Sequence, residues 1–145
     1  MCKVINVYSS LDLLSWRFRG IALHSQQYAD RPKVVYSAAT GQYVLWVKST
    51  PNVGVAVAST PVGPFREVGH FQPESGCESG DIATFVDPTS GSGWLVYSRK
   101  PFNGQRRVLR LCRMAEGLTS LVSGGCTTVS GSDGLEAPAL MYEPS

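Results

Sequence analysis

Apolar and polar residues alternate along much of the chain, and no stretch sustains the three-to-four-residue spacing of an amphipathic helix. The alternation predicts strands at Lys33–Ser37, Tyr43–Lys48, Gly54–Ser59, Ile82–Val86, Gly93–Arg99 and Arg107–Arg113. Between them lie Thr40-Gly41, Thr50-Pro51-Asn52, Ser90-Gly91-Ser92-Gly93 and Phe102-Asn103-Gly104. These are residues that accept the backbone angles of tight turns. Short strands joined by short turns predict an all-β domain.

Composition narrows this picture by exclusion. At 145 residues the chain is the size of one ordinary domain, and an apolar share of 43% makes it globular rather than disordered. A formal net charge of +2 is too small to argue for nucleic acid or a membrane surface. Arg106, Arg107, Arg110 and Arg113 form the one basic cluster, and their alternation with Val108, Leu109 and Leu111 reads as a strand with a solvated face. No apolar run approaches the roughly 20 residues of a membrane-crossing helix, and the first residues lack the apolar centre of an export signal. Four cysteines without metal-type spacing, and only two histidines, lead us to expect neither a metal nor another cofactor. Cys112 and Cys126 are placed either to pair across neighbouring strands or to stay as buried thiols.

A repeat runs beneath the strands. Ser10-Leu-Asp-Leu-Leu-Ser-Trp16 matches Ser59-Thr-Pro-Val-Gly-Pro-Phe65, and Thr40-Gly41-Gln-Tyr43-Val-Leu-Trp46 matches Ser90-Gly91-Ser-Gly-Trp94-Leu-Val-Tyr97. DRPKVVYS from Asp30, DIATFVDP from Asp81 and EAPALMYE from Glu136 align without gaps, 51 and 55 residues apart. A period near 50 residues that holds four strands is a propeller blade. The expected layout is the end of one blade (1–29), a blade (30–80), a second (81–135) and the opening strand of another (136–145). That is about two and a half blades, where closed propellers have four to eight.

The inner strands of a propeller start near its axis, so this repeat brings Asp30, Asp81 and Glu136 toward one face. Any one of them could tie down a turn. Three together carry a cost in repulsion that pKa tuning or polar-ligand binding would justify. Paired carboxyls flanking an acetal oxygen are the equipment of glycoside hydrolysis, one giving a proton and another activating water. Tyr8, Tyr28, Trp46 and Tyr97 could stack against a sugar, but their inward positions read as core. Asp12 falls in a linker between outer strands. No phosphate loop or nucleophile elbow is present.

With these residues in hand the chain resembles glycoside hydrolase family 43, the five-bladed propeller glycosidases, and within it the exo-β-1,3-galactanase-like branch. The likeness rests on VYSSLDLLSW, DRPKVVYSAATGQYVLWV, STPVGPFREVGHFQP, SGDIATFVD and LEAPALMYE in that order. It implies an inverting, exo-acting hydrolase of β-1,3-galactan or a related plant or algal polysaccharide, with Glu136 as general acid, Asp81 as the carboxylate that sets its pKa and orientation, and Asp30 lining the sugar subsite. Gly80 departs from the branch, which often has arginine there, and Asp30 stands where glutamate is usual. The resemblance further implies a secreted parent, monomeric when full length, and a catalytic base supplied by a first blade upstream of Met1. The 145-residue chain by itself is then expected to be inactive. An arabinosidase or xylosidase of the same fold, a carbohydrate-binding propeller without catalysis and a generic interaction propeller are the competing readings. The last lacks any Trp-Asp or kelch-type signature.

Overall fold

In a computed structural model of the chain, which describes residues 3–25, 27, 29–129 and 133–143, ten strands form three antiparallel sheets and no helix appears among the described residues. Strands β1 (Lys3–Ser9) and β2 (Arg17–Ser25) make a two-stranded sheet. The second sheet runs in chain order through β3 (Asp30–Ser37), β4 (Gln42–Ser49), β5 (Asn52–Ala58) and β6 (Arg66–Phe71). The third repeats that order with β7 (Cys77–Val86), β8 (Gly93–Pro101), β9 (Val108–Met114) and β10 (Leu121–Thr128). This is a partial β-propeller. Sequence alternation located six of the ten strands. It missed β6 and β10 because REVGHF and LVSGGCTT carry too few apolar residues, and β1 and β2 because their outer face is itself apolar.

The core lies between sheets rather than inside any one of them. Ala22 and Leu23 of β2 pack with Leu45, Val47, Ala56, Ala58 and Phe65 to join the first sheet to the second. Val44, Trp46, Val53, Val55 and Val57 on the opposite face pack with Ile82, Leu95, Tyr97, Cys112, Met114 and Leu118 of the third. Strands β4 and β5 are therefore covered on both faces and read as near-continuous buried runs. Tyr97 and Trp46 are fully buried, as expected of core residues. Tyr8 is half-exposed against Phe18, and Tyr28 lies outside the described residues.

Two details correct the expectations above, and a third decides between two alternatives. Arg110 does not face solvent: its guanidinium grips Glu74 through two bonds of 2.7 Å and also donates to the Cys126 carbonyl oxygen. The Tyr97 hydroxyl donates to the same carboxylate at 2.6 Å. Cys112 and Cys126 face each other across β9 and β10 and form a disulfide, while Cys77 is a buried free thiol. Residues 133–143 form no strand, because no strand of the described residues pairs with them. Gly134 donates to the Arg107 carbonyl, the Leu135 carbonyl accepts from Ser98 Oγ, and the Tyr142 and Thr89 hydroxyls meet at 3.3 Å.

Burial pushes the Glu74 carboxyl up, but hydrogen bonds from Arg110 and Tyr97, with the charge of Arg110, outweigh it and hold the group below its ordinary 4.5. A carboxyl lowered in the fold adds stability that is complete above its unfolded value and lost as pH falls through the folded one. Glu74→Gln should therefore lower stability at neutral pH and flatten its decline below about pH 4.5. Urea melts at a series of pH values check this.

Candidate active site

Both inner strands carry a β-bulge in their first half. On β3, Arg31 and Pro32 stand opposite the single residue Val47, between the pairs Asp30–Lys48 and Lys33–Trp46. On β7, Gly80 and Asp81 stand opposite Ser98, between Ser79–Arg99 and Ile82–Tyr97. Proline and glycine are the residues that mark such interruptions, and bulges re-aim the side chains beside them.

The two hairpins fix the true equivalence between the sheets. Gly41 donates to the Ser37 carbonyl and Gly91 to the Asp87 carbonyl, both at 2.8 Å. Counted from these matching turns, Asp81 corresponds to Arg31, not to Asp30. The gapless alignment was one residue out. Asp30 and Glu136 do match each other: Arg31 and Ala137 both take φ 50°, and a proline follows each.

That single-residue offset decides the electrostatics. Asp81, largely buried, reaches back to the second sheet. Its Oδ2 lies 2.9 Å from Arg31 Nη2 and its Oδ1 3.2 Å from Lys48 Nζ. Each oxygen is thus held by a different cation, one from each of two neighbouring strands. Asp30, directly across from Lys48, accepts the Arg31 backbone N–H at 2.8 Å. Asp30 and Asp81 therefore belong to one cluster with Arg31 and Lys48. Glu136 is half-exposed and engages Arg107, although its neighbour Leu135 touches Ser98 opposite the β7 bulge.

Sequence reasoning overlooked the three cations. Lys48 was the readable one, since the Gly41 turn places it near Asp30; a plain hairpin would have set Ser49 there, and the bulge shifts the partner by one. Asp12 lies in the β1–β2 turn, where the backbone amides of Ser15 and Leu14 hold its carboxyl at about 2. It builds that turn.

Gly80 is fixed by space. A Cβ there would lie 2.8 Å from the Ser98 carbonyl oxygen, which cannot swing aside as a side chain can. Gly80→Ala should cost about 1–3 kcal/mol in thermal or chemical unfolding, and Gly80→Arg should do no better.

Among the described residues, three of the surface concavities, of about 480, 510 and 460 Å³, are lined by residues other than Asp30, Asp81 and Glu136. Among the described residues one trio of possible metal ligands gathers, Glu74 with Cys112 and Cys126, but its two sulfurs are bonded to each other.

No family model matches the chain, and no curated protein does. Solved structures do. An exo-β-1,3-galactanase from Phanerochaete chrysosporium, crystallised with β-1,3-galactotriose, is 29% identical at a TM-score of 0.72 over 83% of this chain and 30% of its own. An endo-1,4-β-xylanase from Bacteroides thetaiotaomicron is 26% identical at 0.68, over 85% of this chain and 42% of its own. A family 43 β-1,3-galactosidase reaches 0.83 at 22% identity, over 95% of this chain and 32% of its own, a likeness of fold alone. The chain thus spans less than half the length of each of these structures. Sheet order, inter-sheet packing and these likenesses agree on the fold: the chain is a partial β-propeller, similar to part of these solved glycosidases.

Proposed function

We propose that this chain carries the acid side of a glycoside-hydrolysing site that acts, in the whole protein, on β-1,3-linked galactan from a chain end. The observation that carries the reading is Asp81, pinned by Arg31 and Lys48 at the bulge of an inner strand beside Asp30. A carboxylate fixed by both oxygens offers a charge of constant position, which is what a neighbouring proton donor needs. Glu136 supplies the proton to the leaving oxygen, Asp81 sets the field it works in, and Asp30 accepts sugar hydroxyls. The water-activating base comes from a blade not among these residues, with inversion as the outcome. A monomeric, secreted whole protein fits this reading.

A second reading draws on the Glu136–Arg107 contact. A carboxyl engaged by a guanidinium is held in place as a hydrogen-bond acceptor, which suits a sugar-binding propeller without turnover. The likeness to a xylanase keeps xylan as an alternative substrate.

Titration with β-1,3-galactotriose should shift the backbone amide resonances of Asp30, Arg31, Gly80, Asp81 and Glu136, while xylotriose leaves them in place. No shift, or shifts on another face, would discard the site. The 145-residue chain should release no galactose from β-1,3-galactan, and measurable release would show that the base lies within it.

A further inference from the structure

The loop between β8 and β9 is anchored at both ends and open in the middle. Phe102 donates its N–H to the Gly76 carbonyl at 3.2 Å, and the Arg107 carbonyl accepts the Gly134 N–H at 2.7 Å. Between these anchors Asn103, Gly104, Gln105 and Arg106 are all exposed. An Asn-Gly pair often closes a two-residue hairpin. Here it lies instead within a longer loop, after Pro101 and before Val108.

This pair has a chemistry that the other asparagines lack. An asparagine carboxamide is open to attack by the amide nitrogen of the next residue, which closes a five-membered ring, and a side chain on that residue obstructs the approach. Asn6 and Asn52 are each followed by valine and lie in paired strands. Gly104 has no side chain, and a Cβ added there would meet nothing within 4 Å. It takes φ 77°, a conformation glycine adopts freely. Among the described residues no acceptor holds its N–H.

The loop also assists the attack. Asn103 Oδ1 accepts the Gln105 N–H at 3.2 Å, which folds the carboxamide toward the peptide unit between them. The same donor faces the oxygen that becomes negative once its carbon is attacked, so it stabilises the charge where it develops.

We propose that Asn103 is a self-modifying site, losing ammonia to become aspartate or isoaspartate. The Gly104 nitrogen gives its proton to hydroxide and bonds to Asn103 Cγ. The Cγ–Nδ2 bond then breaks, and ammonia leaves with a proton taken from water, which regenerates the hydroxide. A water molecule next opens the ring. Opening at Cγ gives aspartate, and opening at the main-chain carbonyl carbon of residue 103 gives isoaspartate. One water is consumed, one ammonia is released, and nothing is oxidised or reduced. Either product adds a carboxylate to the loop whose Arg107 engages Glu136, and lowers the formal net charge of +2 by one. The inference stands apart from the hydrolase reading.

The folded full chain, kept for several days in mildly alkaline buffer and followed by mass spectrometry of its tryptic peptides, should convert Asn103 while Asn6 and Asn52 stay intact. The isoaspartate product should accept a methyl group from an isoaspartyl methyltransferase. Conversion should quicken as pH rises, and should run at least as fast in the folded chain as in a synthetic peptide of residues 100–106. Gly104→Ala should slow it by about tenfold or more, a barrier higher by about 1.4 kcal/mol. Gln105→Pro, which removes the donor, should slow it by about two- to tenfold, the effect of one hydrogen bond. The comparison of folded chain with peptide needs no variant, so it decides the matter even if a substitution disturbs the loop. A folded chain that keeps Asn103 intact while the peptide converts would overturn the proposal, as would equal conversion at Asn6 or Asn52. An undiminished rate in Gln105→Pro would overturn the assistance assigned to the Gln105 N–H.

Discussion

Replacing Trp46 with alanine is expected to destabilise the protein by about 3–5 kcal/mol, a large part of the total that a domain of this size possesses. Three things are lost together. The ring is fully buried between the second and third sheets, it meets Phe71 edge-on at 5.8 Å, and its N–H satisfies the Leu118 carbonyl. Trp46→Phe separates these contributions. It keeps most of the packing and leaves the Leu118 oxygen without its donor, for which about 1–3 kcal/mol is expected. Urea melts followed by near-ultraviolet circular dichroism would read both, and an alanine variant within 1 kcal/mol of the parent would mean that the seam does not hold the sheets together.

Reduction of the Cys112–Cys126 bond is expected to lower stability by about 3 kcal/mol, the amount associated with closing a loop of this length. The bond spans a pair of strands whose register is interrupted. β9 and β10 pair at Met114–Leu121 and again from Cys112–Cys126 onward, with an irregular stretch between. Without the bond, β10 has little apolar surface of its own to hold it, since its side chains are mostly exposed or half-exposed. A melt with and without dithiothreitol measures the loss. A Cys112→Ala, Cys126→Ala variant should match the reduced protein and be indifferent to the reagent.

How much of this could be read from residues alone depends on which force wrote each feature. The all-β class and the two inner hairpins were legible because alternation and the Gly41 and Gly91 turns are local signals. The repeat was legible for the same reason. The phase of its carboxylates was not. A bulge shifts register by one residue, and Pro32 and Gly80 are its only marks in the sequence. Asp81 was therefore equated with Asp30, although its counterpart counted from the turns is Arg31. Arg110 was misjudged because the residue that takes it out of solvent, Glu74, comes from a loop 36 positions away with no pattern pointing to it. Arg31 and Lys48 were overlooked as partners of Asp81 because the contact crosses between sheets, and no spacing within a strand encodes that.

The division of the core into two seams also sets how the molecule breathes. Units that touch only their neighbours unfold by fraying from an end, with protection rising toward the middle. The amides of β4 and β5, covered on both faces, should exchange with solvent slowest of all. Those of β1 and β2, held along one face, should open in events that leave the other two sheets intact. Heat would then melt the chain over a broad range rather than at one sharp temperature, and the residues around Asp81, anchored to the slowest unit through Lys48, would be among the last to lose their arrangement.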